Sequence, residues 1–218
     1  MQRQERNIAI EIVRGAFAAV WLPFTWAAGA PGAVLSLIRR SRQSSGEIAR
    51  RGRFDTGKWT LELLKQLEWR RFEELCTAYF EALGTASGSL VLHCKAWSAY
   101  PIGIKSVREL RGEMAAARVG QGVLVTSGRF SREAASLAAK ESIELIDGVG
   151  FLEKLSAMAP EKALALLKLA TKGDFLTPTC PLCSIKMSAR KSTGEGRTFW
   201  GCQNYPRCKQ TFSSTVND

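Results

Sequence analysis

Four cysteines near the C-terminal end, Cys180, Cys183, Cys202 and Cys208, constrain this chain more than any other feature. Two residues separate the first pair, five separate the second, and eighteen lie between the pairs. Loops of that length bring four sulfurs to one centre, and four thiolates are the ligand set of a tetrahedral structural zinc. Disulfide pairing of the same cysteines is the competing reading. The sequence shows no secretory signal with a cleavage site and is strongly basic, so an intracellular, reducing compartment is expected and thiolates are favoured. A module of about forty residues has little core of its own. Metal binding is therefore expected to supply most of its folding free energy, on the order of 10 kcal/mol.

Around the second cysteine pair stand Phe199, Trp200, Tyr205, Arg207 and Lys209. Aromatic faces with interleaved cations suit stacked bases and phosphates, which marks these five as candidate nucleic-acid contacts. The stretches CPLC and FWGCQNYPRCKQTF resemble the four-cysteine zinc finger of bacterial type I topoisomerases, over roughly Thr177 to Phe212. That resemblance implies DNA binding, often to single strands.

The charge balance agrees. Lysine and arginine number 31 against 20 acids, a formal net charge of +11. Such an excess favours an anionic polymer or an anionic membrane surface. Residues 1–38 read as a hydrophobic helical segment, and Gly15 to Ile38 is uncharged and long enough to span a bilayer, with Arg39, Arg40 and Arg42 directly after it. Pro23 and the sequence Gly29-Ala30-Pro31-Gly32 break it, as a soluble helical hairpin would require. Two readings stay open: an inner-membrane anchor with the body in the cytoplasm, or a cytoplasmic protein with a buried helical pair. Residues 39–56 carry six arginines and the acid Glu47 between Arg39 and Arg53, and read as a basic linker.

From Gly57 the pattern becomes that of a folded domain, expected over 57–155. Apolar residues from Trp59 to Leu83 recur at helical spacing, and Gly84 stops that helix. Ser89 to Cys94 is predicted as a strand, Val107 to Val119 a helix, Gly122 to Thr126 a strand, Ser131 to Lys140 a helix and Ile143 to Ile146 a strand. Successive right-handed crossovers then give a three-stranded parallel sheet flanked by helices, an α/β fold. The Leu-rich stretch Ala159 to Ala170 reads as a helical spacer, within residues 156–176, leading to the finger at 177–213. Cys76 and Cys94, outside the zinc set, are expected as buried free thiols.

The stretches LEWRRFEELCTAYFEALG, LHCKAWSAYPIGIKSVRELRG, GVLVTSGRFSREAASLAA and IELIDG together resemble the Mrr-type restriction endonuclease family, in order, from Leu67 to Gly148. The resemblance implies the PD-(D/E)xK nuclease fold, with Lys95 as the strand lysine and Glu74 as a helix acid completing the site. Such a site holds magnesium through carboxylates, and the lysine activates the attacking water. This chain departs from the family pattern twice. Between Gly84 and Lys95 stand ten residues with no Asp and no Glu, where the family has a hairpin bearing an essential Asp. Ten residues at about 3.3 Å each cannot supply that hairpin and the lysine strand as well. Position 93, an acid or Gln in the family, is His93, which is expected to be a core residue with a local hydrogen bond.

The fold expected is thus a restriction-endonuclease-like core reduced to three parallel strands, with a helical N-terminal segment and a small C-terminal zinc finger. The function expected is DNA binding, to single-stranded or modified DNA, with impaired cleavage. An active magnesium-dependent type IV-like restriction endonuclease and a membrane-tethered protein-interaction module are the alternatives. Arg129, in the turn after the second strand, is a further candidate phosphate contact. Trp97 and Tyr100 are expected to pack. Loss of the hairpin leaves the first strand as an edge, to be covered by the N-terminal segment or by a second subunit of a homodimer.

Overall fold

The computed structural model describes residues 57–85, 90–96, 100–192 and 198–213. The N-terminal segment, the basic linker and Trp97 lie outside the described residues.

The stretch expected as one long helix is two, α1 (Leu61–Gln66) and α2 (Trp69–Ala82). No proline or glycine marks the break. Leu67 turns to ψ 128° and Glu68 to ψ 153°, so the chain becomes extended for two residues before α2 begins. Thr60 caps α1 by accepting from the Leu63 amide, and the Glu68 carboxylate caps α2 by accepting from the Arg70 amide. At the far end Gly84 takes φ +78°, while Thr85 donates back to the Phe80 carbonyl. That left-handed turn needs glycine and stops α2 where the sequence indicated.

Three parallel strands follow, β1 (Val91–Lys95), β2 (Gly122–Thr126) and β3 (Ile143–Ile146), in spatial order β1-β2-β3. Helix α3 (Ile104–Ala117) joins β1 to β2, and α4 (Arg132–Ala138) joins β2 to β3. Two same-handed crossovers moving in one direction put both helices on one face. There Val107, Leu110, Met114, Ala134 and Ala138 enclose Val91, Leu124 and Ile143. The alternate strand residues Leu92, Val123, Val125 and Ile146 face the other way, into the larger core. That core is closed by α1, α2, α5 (Gly148–Ser156) and α6 (Pro160–Ala170). Phe151 is its centre: Phe72 and Tyr79 meet it edge-on, with ring centroids at 5.9 and 5.3 Å.

Strand β1 runs through Lys95, one residue beyond its expected end, because Lys95 is in register with Thr126 of β2. Among the described strands β1 is one edge of the sheet, as expected, and β3 is the other. The segment expected to cover β1 falls outside the described residues. No helix among the described residues is long and apolar enough to cross a membrane.

Close approach fixes the start of α5. A Cβ at Gly148 would lie 2.4 Å from the Ser127 carbonyl oxygen, a backbone atom that cannot step aside. Gly148→Ala is expected to lower stability by about 1–3 kcal/mol, read as a lower urea midpoint with an unchanged slope.

Helix α6 lies along α2. Arg71 donates to the Leu169 and Lys172 carbonyls at 2.8 and 3.1 Å, Lys162 to the Ala82 carbonyl at 2.8 Å and the Trp59 indole to the Ala163 carbonyl at 3.2 Å. Beyond α6 three short antiparallel strands, β4 (Ser188–Lys191), β5 (Thr198–Gly201) and β6 (Thr211–Ser213), form the C-terminal module in order β4-β5-β6.

Candidate nuclease site and metal centre

Lys95 ends β1, half-buried, at the C-terminal edge of the sheet. Open parallel sheets bind their ligands at this edge. The charge of Lys95 acts on Glu73, on α2. Burial pushes its carboxyl up from the ordinary 4.5 to about 7, the negative charge of Glu68 adds to the rise, and Arg70 and Lys95 oppose it. Glu74, the helix acid expected from the sequence, is exposed and turned to Arg71 and Arg70 at 3.4 and 4.0 Å.

Helical phase explains the difference. Phe72, Leu75, Cys76, Tyr79 and Phe80 are the buried side of α2. At about 100° per residue, position 73 flanks that stripe and position 74 lies opposite it. The signal was in the sequence, and the phase of the apolar residues carries it.

The raised carboxyl has a consequence for stability. Between pH 4.5 and about 7 the folded chain keeps the Glu73 proton while the unfolded chain has lost it. The unfolded state then binds fewer protons, so Glu73 makes stability fall as pH rises through that window, and the loss is complete above it. Glu73→Gln is expected to abolish this contribution. Its urea midpoint should exceed that of the wild type near pH 8 and converge with it near pH 4.

His93 is buried, with Nε2 at 2.6 Å from Glu113 Oε2 of α3. It is a core histidine with a local partner, as expected. Glu109 pairs with Lys105 one turn away on the same helix, at 3.8 Å. Tyr100, expected to pack, is 67% exposed. Cys76 is fully buried and Cys94 half-buried, and burial followed by the neighbouring Cys94 thiol raises the Cys76 thiol. Arg129 is exposed in the turn between β2 and α4, where Ser131 caps α4 by accepting from the Ala134 amide at 3.1 Å. Among the described residues, no group of three carboxylates or histidines gathers around Lys95.

The four cysteines do gather. The Sγ atoms of Cys180, Cys183, Cys202 and Cys208 all lie within 4.8 Å of one another, and those of Cys180 and Cys208 are 3.8 Å apart. Four sulfurs at the usual zinc–sulfur distance on a tetrahedron stand about 3.8 Å from each other, so the set fits zinc. Backbone turns build it. Ser184 donates to the Cys180 carbonyl at 2.8 Å and takes φ +54°, and the Asn204 amide points at Cys202 Sγ at 3.4 Å. Burial pushes the Cys202 thiol up to about 12. At Cys180 burial acts upward too, yet the amides of Leu182 and Cys183 help bring the net shift below the ordinary thiol value.

Of the aromatic and basic candidates beside the metal site, Tyr205, Arg207 and Lys209 are exposed and Phe199 is half-buried. Trp200 belongs to the module's core with Met187 and the cysteines, so its ring packs inward and is not presented for stacking. Arg190, which no sequence motif marks, sits over the Tyr205 ring at 5.5 Å and donates to the Cys202 carbonyl at 3.2 Å.

Residues 85–155 match the family model of a restriction endonuclease domain, Mrr_cat, and residues 177–216 match that of the topoisomerase DNA binding C4 zinc finger. One stretch of the chain is thus similar to a restriction endonuclease domain and a second, further along, to a topoisomerase-type zinc finger. The matched endonuclease stretch begins after α2, so Glu73 and Glu74 lie outside it. Among solved structures, the chain is similar to the MspJI restriction endonuclease in complex with a 27-mer oligonucleotide, at 14% identity and a TM-score of 0.33. The likeness covers 72% of this chain and 41% of that one, so this chain spans less than half the length of MspJI. Superposition at that level transfers no residue roles. No match was found among curated proteins.

Proposed function

We propose that this protein binds DNA through its zinc finger and through an Mrr-like domain that has lost most of its cleavage chemistry. The observation that carries this reading is the acid-free stretch from Thr85 to Cys94, directly before Lys95. Magnesium is a hard cation that needs several oxygen ligands. Among the described residues no group of three carboxylates or histidines gathers near Lys95, and the Glu73 carboxyl, which feels the Lys95 charge, titrates near 7 and is only partly ionised at neutral pH. That donor set does not fit a magnesium site. Lys95 then serves as a phosphate contact.

The finger holds one structural zinc on Cys180, Cys183, Cys202 and Cys208, which supplies folding free energy and no reaction chemistry. Its DNA contacts are Tyr205, which offers a ring face, with Arg207, Lys209 and half-buried Phe199, while Arg129 adds a cation on the endonuclease-like domain. The net charge of +11 supports a partner bound largely through phosphates, and such binding weakens steeply with salt.

A second reading, an active type IV-like restriction endonuclease, is favoured by Glu73 itself. A carboxyl with a pKa near 7 whose charge environment includes a lysine has the properties of a general base. Plasmid incubation with and without magnesium, scored for cleavage and gel retardation, separates the two readings.

A further inference from the structure

The break between α1 and α2 is held by one carboxylate. Glu68 is buried, with its side chain 3% exposed, and it belongs to two structures at once. As the cap of α2 its Oε2 accepts from the Arg70 amide at 3.3 Å. The same oxygen accepts from the Thr179 amide at 3.1 Å, while Oε1 accepts from the Thr179 hydroxyl at 3.0 Å and from Lys186 Nζ at 3.1 Å. The Glu68 amide donates to the Phe175 carbonyl at 2.9 Å, and the neighbouring Trp69 indole to the Thr179 carbonyl at 2.7 Å.

Thr179 and Lys186 are paired with each other across the base of the first cysteine knuckle. Inside that pair the Cys180 amide donates to the Ile185 carbonyl at 2.8 Å, and Cys180 and Cys183 lie between. A buried carboxylate with all its donors in place is stable, and one stripped of them is not. The donors from the finger keep their positions only while the knuckle is folded, and a knuckle of this size is folded by its metal.

We propose that Glu68 is a positioning residue that transmits metal occupancy of the finger to the first turns of α2, and through them to Glu73. The idea rests on the zinc reading above. Loss of zinc releases Thr179 and Lys186, leaves Glu68 buried without them, and frays α2 from its N-terminal end, where Glu73 sits one turn in. The finger then governs the electrostatic setting of the Lys95 end of the sheet as well as contributing its own surface.

The test is hydrogen exchange on the full chain, followed by mass spectrometry, before and after chelation, with bound zinc counted by a colorimetric chelator. Chelating wild-type protein should speed exchange in a peptide covering residues 69–76 by roughly tenfold or more and leave the β2 peptide unchanged. Glu68→Ala that retains its zinc should show the fast rate from the start and no further change on chelation. Should that variant fail to fold, Thr179→Val, which removes the hydroxyl donor and keeps the amide, should give an intermediate rate with zinc still bound. A zinc-loaded wild type whose 69–76 exchange ignores chelation overturns the proposal, as does a Glu68→Ala protein that still responds like wild type. A zinc count of zero in fresh protein instead sinks the zinc reading, and the coupling with it.

Discussion

Stripping zinc from this protein, or replacing Cys202 by serine, is expected to unfold the C-terminal module while the sheet domain stays folded. The module's apolar interior is little more than Met187, Trp200 and the cysteines themselves, with Ile185 and Phe212 packed partly against it. Burial on that scale cannot offset the conformational entropy of some forty residues. The metal must contribute the difference, on the order of 10 kcal/mol in modules of this kind. Trp200, buried in the folded module, reports the event: chelation should shift its emission to the red and open the region beyond Leu176 to protease. The far-ultraviolet helical signal should fall only slightly, since the helices lie before Thr171. A module that stays protease-resistant without metal would refute the metal's structural role.

Phe151→Ala is the second large effect, expected to cost about 3–5 kcal/mol. The ring has no exposed surface, meets Phe72 and Tyr79 edge-on and sits among residues from both α2 and the sheet. Truncation leaves a cavity whose walls are rigid elements, so little collapse can relieve it. Against a typical total of 5–15 kcal/mol for a domain, that loss is a third or more of the stability. The urea midpoint should drop accordingly, and the zinc count of the purified protein should not change. A cost under about 1 kcal/mol would mean that the α2–α5 contact is not central to the fold.

The parts of this structure legible in the sequence are those set by short-range pattern. The cysteine spacing foretells the four-sulfur cluster, because only a few residues separate the members of each pair. Strands β2 and β3 lie where their apolar runs end at turn residues, and Gly84 stops α2 because its φ of +78° excludes most other residues. The break at Leu67 and Glu68 was not legible. Glu68 is hydrogen-bonded there to Thr179, 111 positions away in the chain, a partner that no local pattern contains. The half-buried setting of Glu73 and the exposure of Glu74 were legible in principle, through the phase of the buried stripe on α2. Trp200 had the composition of a stacking residue, but its position on the central strand of a three-stranded sheet buries it.

Whether DNA binding has outlived cleavage in this protein is decided on plasmid DNA. Zinc-loaded protein is incubated with methylated and unmethylated plasmid, with and without magnesium, beside Lys95→Ala, and cleavage and retardation are scored together. Retardation that weakens with salt, no magnesium-dependent cutting and a modest loss of binding in Lys95→Ala are expected. Magnesium-dependent cleavage that Lys95→Ala abolishes would contradict this and make this chain a working nuclease.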